Sequence, residues 1–235
     1  MKLSLRHTLM AAATVAAFGV SSVALAQTKL ETEKDKVSYM VGMQVGSSLS
    51  QIKDEIDLAV VVKAIEETLK GTPPALSQEE AMAVQKTFAE RMQTKRTAEL
   101  QEVATKNKAD GEAFLAANKG KPGVKTTASG LQYLVVTEGK GAKPAATDTV
   151  KVHYTGTLLD GTKFDSSVDR GQPAQFALNA VIPGWTEALA LMPVGSKYTL
   201  WIPSNLAYGD RATPGPIGPN STLKFEVELI EIVKQ

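Results

Sequence analysis

A long helical stretch followed by a change of period constrains the fold of this chain more than any other feature. Residues 77–118 contain no proline and are rich in Ala, Glu, Lys, Gln and Arg, which favour helix. After Val124 apolar residues alternate with polar ones, as at Leu223 and Phe225, which is typical of a strand with one buried face. We therefore expect an α+β protein, with an all-helical N-terminal part and a C-terminal antiparallel β-sheet wrapped on a short helix.

The long helix has clear signals at both ends. Ser77 and Glu80 form a capping box at its start, and the sequence Asn-Lys-Gly-Lys-Pro-Gly at 118–123 ends it. At 1.5 Å per residue it is ~60 Å long. Apolar residues occur in its early turns, whereas its later part is mostly polar. We expect the early part to pack and the later part to be a solvated connecting helix, which Gly111 weakens locally.

Two shorter amphipathic helices are predicted before it. Apolar residues recur every three or four positions over 37–52 and over 58–70, where Asp57 is a suitable N-cap and Gly71 a suitable C-terminal residue. These helices and the start of the long helix offer one another little cover. The methionines of this region, Met40, Met43, Met82 and Met92, suit either a core or a partner surface. A homodimer through the N-terminal helices, roughly residues 37–95, would satisfy both interpretations.

The first residues have the pattern of an export signal. Lys2 and Arg6 precede an apolar stretch, and the sequence Ala-Leu-Ala at 24–26 is a cleavage site before Gln27. The alternative is an uncleaved membrane anchor, because the apolar run approaches ~18 residues, although it is Ala-rich and weakly hydrophobic. We expect cleavage, export and a mature form that does not span the membrane, since no second long apolar run follows.

Composition argues against several classes of function. The formal net charge is +1, and Lys2 and Arg6 lie in the predicted signal, so nucleic-acid binding is not expected. The chain has no cysteine, which removes disulfides, thiolate catalysis and thiolate metal sites. His153 lies within a predicted strand, and we expect no metal and no cofactor. Asn220 begins a glycosylation sequon, but its residues also suit the turn before the last strand.

What remains is a set of aromatic and aliphatic residues on separate elements of the β-rich half. They are Tyr154, Phe164, Phe176, Val181, Ile182, Trp185, Tyr208 and Phe225. All of them could be ordinary core, and for Phe225, in an alternating strand, this interpretation is as well supported as a site. Tyr154 and Tyr208 favour a site, because a buried phenolic hydroxyl needs a hydrogen-bond partner and Tyr208 lies in a loop.

Residues 127–235 resemble the FK506-binding family of peptidyl-prolyl cis-trans isomerases. The matching motifs are V-H-Y-T-G at 152–156, D-G-x-x-F-D-S-S at 160–167, V-I-P-G-W at 181–185, A-Y-G at 207–209 and N-S-T-L-K-F-E-V-E-L at 220–229. The resemblance implies an enzyme that rotates X-Pro bonds of unfolded or partly folded proline-containing polypeptides in a dry aromatic pocket, without covalent chemistry. It also makes FK506-type macrolides candidate ligands.

The resemblance implies a role for each matched residue. Trp185 would form the pocket floor, and Tyr208 would donate a hydrogen bond to a substrate carbonyl. Asp165 would pair with Arg170. The implied catalytic residues are Tyr154, Phe164, Asp165, Trp185, Tyr208 and Phe225, and the implied substrate-binding residues are Arg170, Phe176, Val181, Ile182 and Ile217. The loop 210–219 departs from commoner family forms, so the resemblance makes no prediction for the residue preferred before proline.

The N-terminal half is similar in layout to the dimerisation region of exported bacterial members, the macrophage infectivity potentiator type. The predicted parts are a signal peptide (1–26), a helical dimerisation module with the long connecting helix (27–123) and an isomerase domain (124–235). Together these features predict a periplasmic homodimer. The alternative function is a dimeric holdase chaperone, in which the isomerase domain acts mainly as a peptide-binding surface; the methionine-rich helical half supports it.

Overall fold

The computed structural model describes residues 29–233, so the predicted export signal lies outside the described residues. Across residues 29–233, none of the helices is both long enough and apolar enough to cross a membrane. The chain divides into two compact units, with the boundary between Leu76 and Ser77. The two units are described separately below.

The first unit is helical. Its elements are α1 (Glu33–Leu49), a 3₁₀ turn (Ser50–Glu55) and α2 (Leu58–Leu69). Asp57 caps α2 as predicted, because its carboxylate accepts a hydrogen bond from the backbone N–H of Ala59 at 2.8 Å. Neither α1 nor α2 has a buried residue in a single copy of the chain. Met43 is 62% exposed and Leu69 is 83% exposed.

The second unit begins with the predicted long helix, α3, which spans Gln78–Asn118 and has 41 residues. Its capping box is confirmed: Ser77 Oγ accepts from the Glu80 N–H at 3.2 Å, and the Glu80 carboxylate accepts from the Ser77 N–H at 2.9 Å. The prediction of a solvated later part is wrong. The buried residues of α3 are Ala104, Gly111 and Asn118, all of them in its later part.

Within residues 124–233, seven strands form one antiparallel sheet. They are β1 (Val124–Thr126), β2 (Gln132–Thr137), β3 (Thr149–Thr157), β4 (Lys163–Ser166), β5 (Ala174–Ala177), β6 (Lys197–Ile202) and β7 (Leu223–Val233). The order is β1-β2-β6-β7-β3-β4, and β5 pairs with β3. The predicted fold class is confirmed.

One face of the sheet packs on α4, which spans Pro183–Leu191. Side chains alternate along β3 and β7, so Val152 and Val227 are fully buried in the core that α4 completes. This is the predicted arrangement of a sheet wrapped on a short helix.

The other face of the sheet is partly covered by the end of α3. In β6 every residue from Tyr198 to Ile202 is buried, including Trp201, whose ring centroid lies 6.5 Å from that of Phe114 in α3. The Gln132 side-chain amide donates to the backbone carbonyl of Leu115 at 2.7 Å. A few side chains in the later part of α3, among its charged residues, thus contact the sheet. This part of the helix therefore belongs to the β-rich unit.

Candidate active site

An open pocket of about 830 Å³ lies beside the start of α4. All predicted site residues except Arg170 line it: Tyr154, Phe164, Asp165, Phe176, Val181, Ile182, Trp185, Tyr208, Ile217 and Phe225. They come from β3, β4, β5, β7, the segment just before α4, α4 itself and the loop between β6 and β7. Residues that are far apart in the sequence therefore meet around one cavity.

The sequence analysis missed several residues of the pocket wall. They are Ala180, Ala207, Arg211, Thr213, Pro214 and Pro216. Four of these lie in the segment 208–219, which we call the rim loop. An irregular loop has no period that would show which of its side chains point inward. The signal in the sequence was that this loop begins at Tyr208 and is rich in proline and glycine.

Trp185 forms the floor of the pocket and is only 4% exposed. Pro183 at the first position of α4 has a backbone angle suited to helix, so the chain turns into α4 just before the indole. Three aromatic rings surround the indole edge-on, with centroid distances of 5.1 Å for Tyr154, 5.5 Å for Phe176 and 5.2 Å for Phe225. The indole Nε1 is buried and has no hydrogen-bond partner among the described residues.

Tyr154, Asp165 and Arg170 form a polar cluster at one wall. The Tyr154 hydroxyl donates to the Asp165 carboxylate and accepts from Arg170 Nη2 at 3.0 Å, and Arg170 Nη1 also donates to Asp165. Arg170 is therefore outside the pocket lining but bound to two residues in it.

These contacts control the protonation of the cluster. Burial, followed by the hydrogen bond to Asp165, raises the pKa of Tyr154. Burial alone would raise the pKa of Asp165, but hydrogen bonds from Tyr154 and Arg170, together with the guanidinium charge, outweigh it and lower that pKa. At neutral pH the phenol is therefore protonated and the carboxylate ionised.

Tyr208 differs from Tyr154 in the hydrogen bonding of its hydroxyl. Its side chain lines the pocket and is 41% exposed. Among residues 29–233 the structure gives the Tyr208 hydroxyl no hydrogen-bond partner. Of the two phenols at the pocket, Tyr208 therefore has a donor available for a bound ligand, whereas the donor of Tyr154 is used by Asp165.

The pocket is suited to binding rather than to covalent chemistry. Its described lining includes no histidine, cysteine, serine or lysine. The Thr213 hydroxyl donates to the carbonyl of Ile217 at 3.1 Å, and the Asp165 carboxylate is held by two donors. Among residues 29–233 no group of side chains is placed to hold a metal ion. Fold and pocket thus define a class of protein in which an antiparallel sheet wrapped on a short helix carries an aromatic-lined pocket.

Comparisons with known proteins identify that class. The family described as FKBP-type peptidyl-prolyl cis-trans isomerase matches residues 140–230. The family described as the domain amino terminal to FKBP-type peptidyl-prolyl isomerase matches residues 34–135. The chain belongs to the FKBP-type peptidyl-prolyl cis-trans isomerases, and its activity is peptidyl-prolyl isomerisation.

Several relatives match nearly the whole chain. The outer membrane protein MIP of Legionella longbeachae is 45% identical over 218 residues, covering 93% of this chain and 94% of that protein. The FKBP-type 22 kDa peptidyl-prolyl cis-trans isomerase of Escherichia coli is 48% identical over 204 residues, covering 86% of this chain and 97% of that protein.

A solved structure supports the same assignment. The crystal structure of FkpA from Escherichia coli matches with a TM-score of 0.69 and 36% identity, over 87% of this chain and 98% of that one. The predicted resemblance is confirmed, and the holdase alternative is not favoured.

Proposed function

We propose that the pocket around Trp185 is the active site and that it rotates X-Pro bonds in unfolded or partly folded exported proteins. The observation that carries this proposal is the combination of a buried aromatic floor with one available donor, the Tyr208 hydroxyl, at its edge. The proposed catalytic residues are Tyr154, Phe164, Asp165, Trp185, Tyr208 and Phe225, and the proposed substrate-binding residues are Arg170, Phe176, Val181, Ile182 and Ile217.

The reaction is limited by its barrier and not by its equilibrium. Rotation about a peptide bond requires loss of amide resonance, which costs ~18–20 kcal/mol. Before proline the two isomers differ by only ~0.5–1 kcal/mol. Uncatalysed exchange therefore takes ~10–100 s, which is slow enough to limit folding.

An apolar pocket lowers this barrier without proton transfer. The planar amide is stabilised by charge separation between oxygen and nitrogen, and this separation decreases as the bond twists. Transfer from water into a site walled by Phe164, Phe176 and Phe225 therefore favours the twisted state over the planar one. A rate acceleration of ~10⁴ requires about 5.5 kcal/mol from the pocket and from positioning together.

The polar residues hold the substrate carbonyl and the Tyr154 ring in place. The Tyr208 hydroxyl donates to a substrate carbonyl and holds it while the prolyl ring turns above Trp185. Asp165 and Arg170 hold the hydroxyl of Tyr154, so the Tyr154 ring keeps a fixed place against the floor. Arg170 thus acts through Tyr154 and Asp165.

The experiment compares two tyrosine variants in the isomerisation of a short proline peptide. Tyr208→Phe should lower kcat/KM with little change in thermal stability, because it removes one hydroxyl from a half-exposed loop side chain. The matched control is Tyr133→Phe, since Tyr133 stacks on Tyr198 in the sheet and does not line the pocket. Full activity of Tyr208→Phe would contradict the assigned role of its hydroxyl.

The proposal extends to the assembly of the chain. Neither helix of the first unit has a buried residue, and exposed apolar side chains recur along both, so a second copy is the proposed cover. The proposed parts remain a signal peptide (1–26), a dimerisation module with its connecting helix (27–123) and an isomerase domain (124–235). The proposed location is the periplasm, on the basis of the N-terminal sequence pattern.

An FK506-type macrolide is the proposed small-molecule ligand of the same pocket. A volume of about 830 Å³ lies in the range of ~300–1,000 Å³ found for drug-sized ligands. Such a ligand should compete with proline peptides, and a competition assay measures this directly.

A further inference from the structure

Helix α3 contacts the pocket through the end of the rim loop. The side-chain amide of Asn107 donates to the backbone carbonyl of Pro219 at 2.9 Å and lies 3.2 Å from Ser221 Oγ. In the reverse direction, the Asn220 side-chain amide donates to the carbonyl of Ala104 at 3.4 Å. Two amide side chains thus join one turn of the helix to the residues that close the loop.

The loop backbone at Gly218 lies directly against side chains of α3. A Cβ added to Gly218 would lie 3.1 Å from Asn107 Nδ2 and 3.1 Å from Val103 Cγ1, so any side chain there would press on α3. Asn220 has a φ of 57°, in the left-handed region that few residues other than glycine adopt, asparagine more often than most. Its bonds to the Ala104 carbonyl and, through its N–H, to the Gly209 carbonyl at 2.7 Å hold it there.

The held end of the loop is close to the pocket wall. Ile217 lines the pocket, is 8% exposed, and lies two residues before Pro219. Its carbonyl accepts from the Thr213 N–H at 3.2 Å, and Thr213 also lines the pocket. Gly218, between Ile217 and Pro219, lies against side chains of α3, and the proline that follows it restricts its backbone. We therefore expect movement of the Pro219 carbonyl to reach Ile217.

We propose that Asn107 is a positioning residue that sets the place of Ile217 in the pocket, and through it the preference for the residue before proline. The inference rests on the proposed function, in which the prolyl ring takes the floor at Trp185. In this proposal the side chain of the residue before proline lies against the rim loop. Asn107 itself does not line the pocket. It acts on the substrate only through the rim loop.

The test measures kcat/KM of the full-length protein for peptides with Ala, Leu or Phe before proline. Asn107→Ala removes the donor, and Asn107→Asp places an acceptor against the Pro219 carbonyl. In both variants the ratio of the Phe-Pro to the Ala-Pro value should change by about two- to tenfold, the effect of one lost hydrogen bond. Asn107→Gln keeps an amide donor and should return the ratio toward that of the unchanged protein.

Two further measurements separate positioning from general structure. Lys108→Ala, at the next and exposed position of α3, is the matched control and should leave the ratio unchanged. The amide NMR signals of Thr213 and Ile217 should shift in Asn107→Ala, while that of Phe164, in β4, should not. A uniform fall for all three peptides, or no change in the ratio, overturns the inference. Either result leaves the proposed function intact, since that is tested separately by Tyr208→Phe.

Discussion

Gly111 in α3 lies so close to Thr222, just before β7, that a Cβ on Gly111 would stand 2.4 Å from Thr222 Oγ1. The same Cβ would be 3.3 Å from the Thr222 Cβ. Gly111 is buried, so the missing side chain is what allows the helix to approach the sheet. The glycine that the sequence marks as a weak point of the helix is therefore a packing requirement of the fold.

The first prediction concerns this contact. In an ordinary helix interior Gly→Ala stabilises by ~0.8–1 kcal/mol, whereas overpacking costs ~1–3 kcal/mol. Gly111→Ala should therefore lower the free energy of unfolding by up to about 2 kcal/mol, the difference between these two effects. Thr222→Ala removes the obstructing hydroxyl, and the double variant should regain most of the loss. Urea denaturation of both single variants and the double variant measures the coupling. A stabilising Gly111→Ala would contradict the close packing of α3.

The second prediction separates the pocket floor from the rest of the core. Trp185→Ala should cost ~3–5 kcal/mol and abolish most isomerisation, because the floor is lost. Leu189→Ala, on the same helix and fully buried but outside the pocket lining, should cost ~2–5 kcal/mol while the folded fraction keeps its kcat/KM. Equal effects of the two variants on kcat/KM, at matched folded fractions, would contradict the assignment of Trp185 as the floor.

Trp185→Phe refines the same test. It keeps an aromatic ring but removes the buried Nε1, which has no partner among the described residues. Because an unpaired buried N–H costs about 1–3 kcal/mol, its removal should offset part of the packing loss. Thermal unfolding should therefore place this variant closer to the parent than to Trp185→Ala.

The sequence predicted most of the pocket because its residues occur in fixed motifs or alternating strands. Tyr154 and Phe225 each lie in a period-two segment, and Trp185 follows a Pro-Gly helix start. The packing of α3 on the sheet could not be predicted in this way. It depends on scattered residues, such as Asn107 and Phe114, within a mostly polar helix. Hydrophobic periodicity does not detect single amide contacts, so the later part of α3 resembled a solvated helix.

A third prediction follows from the lowered pKa of Asp165. A carboxylate whose folded pKa is below its unfolded value stabilises the fold when ionised. That stability is complete above the unfolded pKa of ~3.9 and is lost as the pH falls through the folded pKa. The difference in free energy of unfolding between the parent and Asp165→Asn should be constant from about pH 6 to 8 and should shrink below about pH 4. A difference that persists undiminished at about pH 2 would contradict this linkage.

A fourth prediction concerns the extent of the isomerase domain. The proposed domain 124–235 contains every proposed site residue, but it lacks the α3 residues that cover Trp201 and bind Gln132. Fragment 124–235 should therefore isomerise peptides yet unfold at lower temperature than fragment 96–235, which retains those contacts. Differential scanning calorimetry of both fragments is the measurement. Equal stability would show that the end of α3 contributes nothing to the β-rich unit.

The last prediction is that the mature chain is a homodimer through its N-terminal helices. In a single copy, Met43 and Val60 are each 62% exposed, and Leu58 is 65% exposed. Full burial of such a side chain contributes ~1.5–3 kcal/mol, so an interface that covers several of them can hold two copies together.

Light scattering of residues 27–235 should give the mass of two chains. Fragment 96–235 should be a monomer, and Met43→Glu combined with Val60→Glu should weaken association of the mature chain. Peptide isomerisation should be unchanged in the double variant, because Met43 and Val60 do not line the pocket. It should also be unchanged in fragment 96–235, which keeps every lining residue. A monomeric mature chain at micromolar concentration would contradict the dimer and leave the isomerase assignment in place.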